Sequence, residues 1–285
     1  MLETPLGWVL LLLVGVVTGT LAGLLGIGGG LMMVPVLTLF NVPLVQATAT
    51  SLVGVFLSAV SGSVRNLRAG ELNWRISLLL AVFGMVTAQV GAWIGDRISE
   101  AWLSLSFALL LVITIYLMDL KRRLVKQQLR ADMTTVVVPP VAIAPEDEAA
   151  PTTSPSTATS EQPALLPIAQ IGLLAGVLSG LFGVGGGVVM VPLQMLMLGE
   201  DIKSAVRTSL GAIVAIAVSG LAQHAWNGNV LWIPGICLGL GGILGAQFGT
   251  RLLPKLPDQT INLMFRLFLV GLSVYMTIRG LDRLF

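Results

Sequence analysis

The sequence predicts an all-α polytopic membrane protein made of two homologous halves. Composition is the first reason: 55% of the 285 residues are hydrophobic, 11% are charged, and the mean hydropathy is +0.92. Soluble domains carry about 25% charged residues, so lipid is the solvent that this composition fits. The second reason is a glycine-rich motif that occurs once in each half. The apolar segments lack the polar alternation of a barrel strand, which favours helices.

Each half contains five apolar segments, of which the second is short and directly follows the glycine cluster. The segments of the first half are 6–25, 30–42, 46–64, 76–95 and 101–118. Those of the second half are 165–182, 187–198, 204–224, 230–250 and 260–279. A full span needs about 20 residues, so the sequence leaves open whether the short segments cross. It therefore predicts about 8–10 membrane segments, with a glycine-broken second helix in each half.

The membrane halves occupy residues 1–120 and 164–285, and a linker at 121–163 separates them. Ala131–Pro163 is rich in proline, serine and threonine and contains an acidic run. Such a segment cannot bury enough apolar surface to fold, so we predict that the linker is disordered. A basic cluster from Lys121 to Lys126 precedes it, which favours a cytoplasmic position.

The halves are related by an internal duplication. Gly19–Pro35 reads GTLAGLLGIGGGLMMVP, and Gly176–Pro192 reads GVLSGLFGVGGGVVMVP. Further matches follow in the same order: Thr50-Ser51 with Thr208-Ser209, and Gly91-Ala92-x-x-Gly95-x-Arg97 with Gly245-Ala246-x-x-Gly249-x-Arg251. Internal repeats of this kind are frequent in secondary transporters.

The positive-inside rule bears on the orientation of the halves. If the short segments cross, each half has five spans, the halves are inverted, and most loop lysines and arginines share the side of the linker. If they do not cross, the halves are parallel with four spans each, and the charge bias is weaker. We therefore predict inverted repeats with the linker in the cytoplasm and both termini outside. The membrane is predicted to be the cell inner membrane.

The glycine clusters are the candidate binding site. Clustered glycines break a helix, and inside a membrane such a break persists only where it is buried in protein or lines a cavity. Its free amides and the positive end of the next helix suit an anion. Close helix packing and a tight turn are the competing explanations, and packing is favoured for Gly19, Gly23, Gly91 and Gly95. The predicted binding glycines are Gly26, Gly28, Gly29, Gly30, Gly183, Gly185, Gly186 and Gly187.

This duplicated motif, G-x-x-x-G-x-x-G-[IV]-G-G-G-x-x-x-V-P, resembles the TauE/SafE sulfite exporter family. The resemblance covers essentially the whole chain outside the linker. It implies transport of sulfite, thiosulfate, an organosulfonate or a related anion, without selecting one of them.

Several polar residues inside the apolar segments are further candidates. The hydroxyls of Thr50, Ser51, Thr208 and Ser209 could donate to an anion, or bond to their own helix. Arg207 could offer two parallel donors to a sulfonate, or lie at the membrane interface. His224 is the only histidine, and it could carry a proton or lie at the interface as well.

The remaining composition excludes several classes of function. One cysteine and one histidine, with few acidic residues in the spans, predict no metal site, no cofactor and no enzyme activity. No nucleotide-binding or nucleic-acid-binding motif is present. The sequence thus favours a secondary transporter that works by alternating access, with lipid and a small anion as partners. A proton, another ion or the substrate gradient would drive it. A passive anion channel, or a permease for an unrelated small organic anion, is the alternative.

Overall fold

The computed structural model describes residues 4–116 and 165–282, and every regular element in these ranges is helical. The predicted disordered linker at 121–163 lies outside the described residues. Ten α-helices follow in chain order: α1 (Pro5–Leu25), α2 (Gly30–Leu39), α3 (Leu44–Arg68), α4 (Trp74–Gly95), α5 (Glu100–Tyr116), α6 (Leu165–Phe182), α7 (Gly187–Met197), α8 (Ile202–Trp226), α9 (Trp232–Leu252) and α10 (Asp258–Asp282). A short 3-10 turn, Leu253–Lys255, follows α9.

Seven of the described helices are long and apolar enough to cross a membrane, namely α1, α3, α4, α6, α8, α9 and α10. Helices α2 and α7 have 10 and 11 residues, which corresponds to about 15 Å each. Neither of these two helices alone spans a hydrocarbon core about 30 Å thick. The prediction of an all-α polytopic membrane protein is therefore confirmed, and each half has the expected short second helix.

Local sequence signals set the ends of these helices. Thr4 Oγ1 accepts from the Gly7 amide at 3.2 Å, and Pro5 occupies the first turn of α1, where its missing amide hydrogen costs nothing. Asp201 caps α8 by accepting from the Lys203 and Ser204 amides, each at 3.1 Å. Helices α1 and α6 both end at the residue before the first glycine of a glycine cluster.

Helix α1 of the first half packs along α9 of the second half through a stripe of small residues. A Cβ atom at Gly19 would lie 2.6 Å from Gly242 Cα, and one at Gly23 would lie 2.8 Å from Ala246 O. The residue numbers rise together along the contact, so α1 and α9 run in the same direction. Side chains larger than hydrogen would force the two backbones apart.

Helix α6 of the second half packs in the same way along α4 of the first half. A Cβ atom at Gly172 would lie 2.8 Å from Leu80 O, and one at Gly180 would lie 2.6 Å from Ala92 N. Helices α4 and α6 are therefore also parallel. In both pairs, a helix of one half packs on a helix of the other half. The predicted packing positions are confirmed: Gly19 meets Gly242, Gly23 meets Ala246, Gly91 meets Val177 and Gly95 meets Leu181.

The central helices α3 and α8 are corresponding helices of the two halves, and they cross each other antiparallel. Leu52, early in α3, lies against Gly220, late in α8, at 3.3 Å from its Cβ position. Gly62, late in α3, lies against Leu210, early in α8. Helix α3 ends, and α8 begins, at the same end of this pair, which we call the Arg207 end. The opposite end of the pair is the His224 end.

Two further pairs complete the directions of the helices. Leu231 N donates to Thr50 Oγ1 at 3.0 Å, and Ser61 Oγ donates to Ile243 O at 2.9 Å, so α3 and α9 are parallel. A Cβ atom at Gly211 would lie 3.3 Å from Ser77 Cβ, and Ser219 Oγ donates to Met85 O at 2.6 Å further along both helices, so α8 follows the direction of α4. Helices α1, α3 and α9 thus run one way, and α4, α6 and α8 run the other way.

Candidate functional site

Two glycine loops form the centre of the molecule, one before α2 and one before α7. Three glycines in each loop adopt the left-handed backbone conformation that L side chains rarely adopt. Their φ values are 69° at Gly26, 77° at Gly28, 85° at Gly29, 68° at Gly183, 81° at Gly185 and 77° at Gly186. The repeated glycines are therefore required by backbone conformation in both halves, and not only by close packing.

The loops contact each other reciprocally. A Cβ atom at Gly30 would lie against Gly183 O and 2.9 Å from Val184 Cα. A Cβ atom at Gly187 would lie against Gly26 O and 2.8 Å from Ile27 Cα. The last glycine of each cluster therefore allows direct backbone contact between the two halves.

The loop amides are the candidate anion donors. Gly29 and Gly186 precede α2 and α7, and no side chain of the described residues caps either helix. Gly29 O accepts from the Met32 and Met33 amides at 3.2 Å. Gly186 O accepts from the equivalent amides of α7, those of Val189 and Met190. No hydrogen bond from the amides of residues 28–31 or 185–188 to any described residue is found. These amides lie at positive helix ends, where an anion is favoured.

The two predicted serines hold the loops from opposite halves. Ser51 Oγ donates to Gly183 O at 2.8 Å, and Ser209 Oγ donates to Gly26 O at 3.0 Å. Each hydroxyl also lies near its own helix, 2.7 Å from Thr48 O and 3.0 Å from Val206 O respectively. Both serines are fully buried. The structure thus brings them to the glycine loops and directs their hydroxyls at loop carbonyls.

The two predicted threonines differ from each other. Thr50 Oγ1 accepts from the Leu231 amide at 3.0 Å, which ties α3 to the start of α9. Thr208 is fully buried as well, and its hydroxyl has no hydrogen-bond partner among the described residues. The Thr208 hydroxyl is therefore available to a ligand or to water.

Arg207 is paired with a glutamate outside the glycine loops. Its guanidinium lies 3.2 Å from Glu71 Oε1, in the connection between α3 and α4 of the other half. The side chain keeps 16% of its accessible surface, so the ion pair is partly buried. Neither predicted role, anion donor or interfacial residue, included this partner. A role in binding would require Arg207 to exchange Glu71 for the anion.

Two branched apolar side chains fill the space between the loops. A Cβ atom at Gly28 would lie 2.9 Å from Val55 Cγ1 and 3.2 Å from Ile213 Cγ2. The same two side chains lie 2.9 Å and 3.0 Å from the corresponding position at Gly185. Val55 and Ile213 stand near the middle of α3 and α8, so the loops meet at mid-length of the central pair. An anion needs these side chains to move before it can reach the amides.

A polar cluster that sequence reasoning had not assembled lies at the His224 end. His224 is buried there, with 1% of its surface exposed, and Asp96 lies next to it. The sequence signal that could have indicated this cluster is the repeated Gly-Ala-x-x-Gly-x-Arg motif. At one position of this motif the first half has Asp96 and the second half has Thr250.

These features define a multi-pass α-helical membrane protein whose two halves meet through glycine loops. The chain belongs to the Sulfite exporter TauE/SafE family, whose model matches residues 11–276. The resemblance predicted from the glycine motif is therefore confirmed.

The relatives agree with this assignment. The chain is 26% identical over 286 residues to the probable membrane transporter protein YunE of Bacillus subtilis, with 97% of this chain and 99% of that protein covered. It is 25% identical over 283 residues to a probable membrane transporter protein of Methanocaldococcus jannaschii, with 94% of each chain covered. No solved structure matches the chain. The protein is thus a membrane transporter by family and by relatives.

Proposed function

We propose that this protein is a secondary transporter in the cell inner membrane that moves a small sulfur-containing anion by alternating access. The observation that carries the proposal is the pair of glycine loops at the crossing of α3 and α8. Each loop presents amides without a described acceptor, and each contacts the other half directly.

In the proposed bound state, an oxyanion accepts hydrogen bonds from loop amides of both halves. Glycine lets the anion approach the backbone without a side chain in between. Because backbone amides carry no net charge, they can bind an anion and still release it.

Access to the loops is controlled by Val55 and Ile213. These side chains pack against Gly28 and Gly185, so the structure corresponds to a closed centre. Rocking of one half against the other would separate α3 from α8 at one end at a time. The reciprocal loop contacts support this mechanism, because a site shared by two halves can open toward either side.

The helix directions support inverted repeats. Corresponding helices α3 and α8 run antiparallel, whereas α3 runs with α9 and α8 runs with α4. Inversion predicts that corresponding turns lie on opposite faces of the membrane. Gly70 and Gly228 are such turns, and no described residue lies within 4 Å of either Cβ position.

Single cysteines at these turns test the orientation. We expect a membrane-impermeant maleimide to label Gly228→Cys, but not Gly70→Cys, in intact cells of a Cys237→Ala background. Both positions should react after the membrane is permeabilised. Labelling of both positions from the same face would contradict the inverted arrangement.

The sulfur-containing substrate is inferred from the family assignment. Purified protein in liposomes, assayed with sulfite, thiosulfate, an organosulfonate and sulfate, tests it. We expect saturable uptake of at least one of the first three anions and concentration against a gradient. Uptake that only equilibrates would indicate a channel, and absence of uptake of all four would reject the sulfur-anion proposal.

A further inference from the structure

His224 lies two residues before the end of α8 and is almost completely buried. Its Nε2 atom is 3.1 Å from Gly180 O of α6. A carbonyl oxygen only accepts hydrogen bonds, so Nε2 must carry a hydrogen. The tautomer of the ring is thereby set by a backbone group, and any proton that is gained or lost belongs to Nδ1.

The Nδ1 atom faces a carboxylate. It lies 3.4 Å from Asp96 Oδ1 of α4, an ion-pair contact, and makes no aligned hydrogen bond to a described residue. With Nδ1 unprotonated, its lone pair would face the Asp96 carboxylate. With Nδ1 protonated, the same atoms form a charge-assisted contact between α8 and α4. One proton therefore changes the sign of the interaction between these two helices.

The Asp96 carboxylate connects this site with solvent. Asn227 and Asn229 both donate to it, the latter at 3.1 Å, and its side chain keeps 17% of its accessible surface. It lines a cavity of about 600 Å³ at the His224 end. The other residues of this cavity are Trp93, Arg97, Gln223, Trp226, Asn227 and Asn229.

Few other charged groups are present at this end. Arg97 donates to Trp93 O at 3.1 Å and lies 3.6 Å above the Trp93 ring, while Glu100 accepts from the Leu44 amide at 2.6 Å. Helices α6 and α7 contain no charged residue, and α3 has its arginines at the opposite end. Helix α10 meets α8 at the Arg207 end, through Asp258 and Lys203. Among the described residues, Asp96 is therefore the charged group that faces His224.

The corresponding position of the first half cannot bind a proton in this way. Asn66 lies two residues before the end of α3, as His224 does in α8, and it is equally buried. Thr250 stands where the other motif copy has Asp96. An amide and a hydroxyl replace the imidazole and the carboxylate, so the two ends differ in their response to pH.

We propose that His224 and Asp96 form a proton-binding site that couples anion movement to a proton gradient. A proton from the cavity binds Nδ1, and the pair changes from one net negative charge to none. The protonated pair holds α8 to α4 and closes the His224 end, and loss of the proton releases it. The coupling part of this inference rests on the proposed transport function, whereas proton binding does not.

Proton binding is measured directly, because the chain contains one histidine. Protein labelled with ¹⁵N-histidine and purified without a histidine tag gives a single imidazole spectrum. We expect the neutral ring to carry its hydrogen on Nε2, and Nδ1 to gain a proton when the pH is lowered. Asp96→Asn should shift the pH of this change, and Asn66→Ser should not. A ring in one protonation state throughout, or a titration unaffected by Asp96→Asn, would overturn the site.

Coupling is measured in liposomes with an anion of the panel that the wild-type protein exchanges. ³⁵S-thiosulfate is used where it is exchanged, because its charge is constant near neutral pH. Exchange at equal pH reports transport alone, and accumulation under an imposed pH gradient reports coupling. His224→Asn introduces the residue that the first half has at this position, Asn66. We expect this variant to lower the ratio of accumulation to exchange to the value measured without a pH gradient. The matched variant Asn66→Ser should keep the wild-type ratio.

The outcomes separate the two proposals. If the wild-type protein exchanges none of the sulfur anions of the panel, the proposed function fails, and the histidine spectrum still decides the proton site. If exchange occurs and His224→Asn retains the wild-type ratio, the coupling inference is overturned. A wild-type protein that exchanges thiosulfate without any effect of the pH gradient overturns it as well.

Discussion

The two ends of the α3–α8 pair come from the two copies of the duplicated sequence, but different polar side chains pair at each end. At the Arg207 end, Arg207 and Glu71 form an ion pair, and Asn66 fills the buried position late in α3. At the His224 end, His224 occupies the position that corresponds to Asn66, and it is paired with Asp96. Between the ends, the glycine loops and their serines are nearly identical in the two halves. Duplication has thus kept the centre symmetric, while the ends have diverged in charge.

The largest effect is expected at the symmetric centre. Gly29→Val and Gly186→Val each place a branched side chain at a φ of 85° or 77°, in a loop that contacts the other half. Both variants should lose anion uptake in liposomes, to the same extent. Gly70→Val is the matched control, since its φ is 70° and no atom of residues 4–116 or 165–282 lies within 4 Å of its Cβ position.

These glycine variants also test the comparison itself. Loss of uptake in only one of the two loop variants would show that the halves contribute unequally to binding. Wild-type uptake in both would contradict a backbone site. Membrane insertion and elution as a single species should be checked for each variant, so that a failure to fold is recognised.

A smaller effect is expected for the serines that hold the loops. Ser51→Ala removes the described donor to Gly183 O, and Ser209→Ala removes that to Gly26 O. A buried carbonyl that loses its partner costs about 1–3 kcal/mol. Thermal unfolding in detergent should show both variants destabilised by similar amounts. A clear difference between them would mean that the loops are not equivalent in stability.

The smallest effect is expected at the Arg207 end. The pair of Arg207 and Glu71 is partly exposed, so solvent screens it. A double-mutant cycle with Arg207→Ala and Glu71→Ala should give a coupling energy of about 1 kcal/mol or less. If Arg207→Ala abolishes uptake while Glu71→Ala does not, the arginine contacts the anion during transport, and its role is more than structural.

Much of the fold was predictable from the sequence because its signals are local. Apolar windows marked the helices, and the two glycine clusters marked the breaks before α2 and α7. The packing role of Gly19 and Gly91 was predictable too, since small residues at helical spacing favour close approach in membranes.

The polar partners were not predictable, because they come from distant parts of the chain. Nothing near Arg207 indicates Glu71, which belongs to the other half. His224 stands at the end of an apolar segment, where an interfacial position was one expectation. It is buried because Gly180 lets α6 approach α4 so closely, which is a tertiary property. The serines were predicted at the site, but their donation to loop carbonyls depends on how the halves meet.

The packing of first-half helices on second-half helices has a consequence for biosynthesis. Helix α1 packs on α9, and α4 packs on α6, so each glycine stripe of the first half is completed by a helix made much later. During translation the first half must remain in the bilayer with its stripes covered by lipid until the second half inserts. Two separately expressed halves should therefore be degraded when each is made alone and recovered when both are made together, because each half needs helices of the other to cover its glycine stripes.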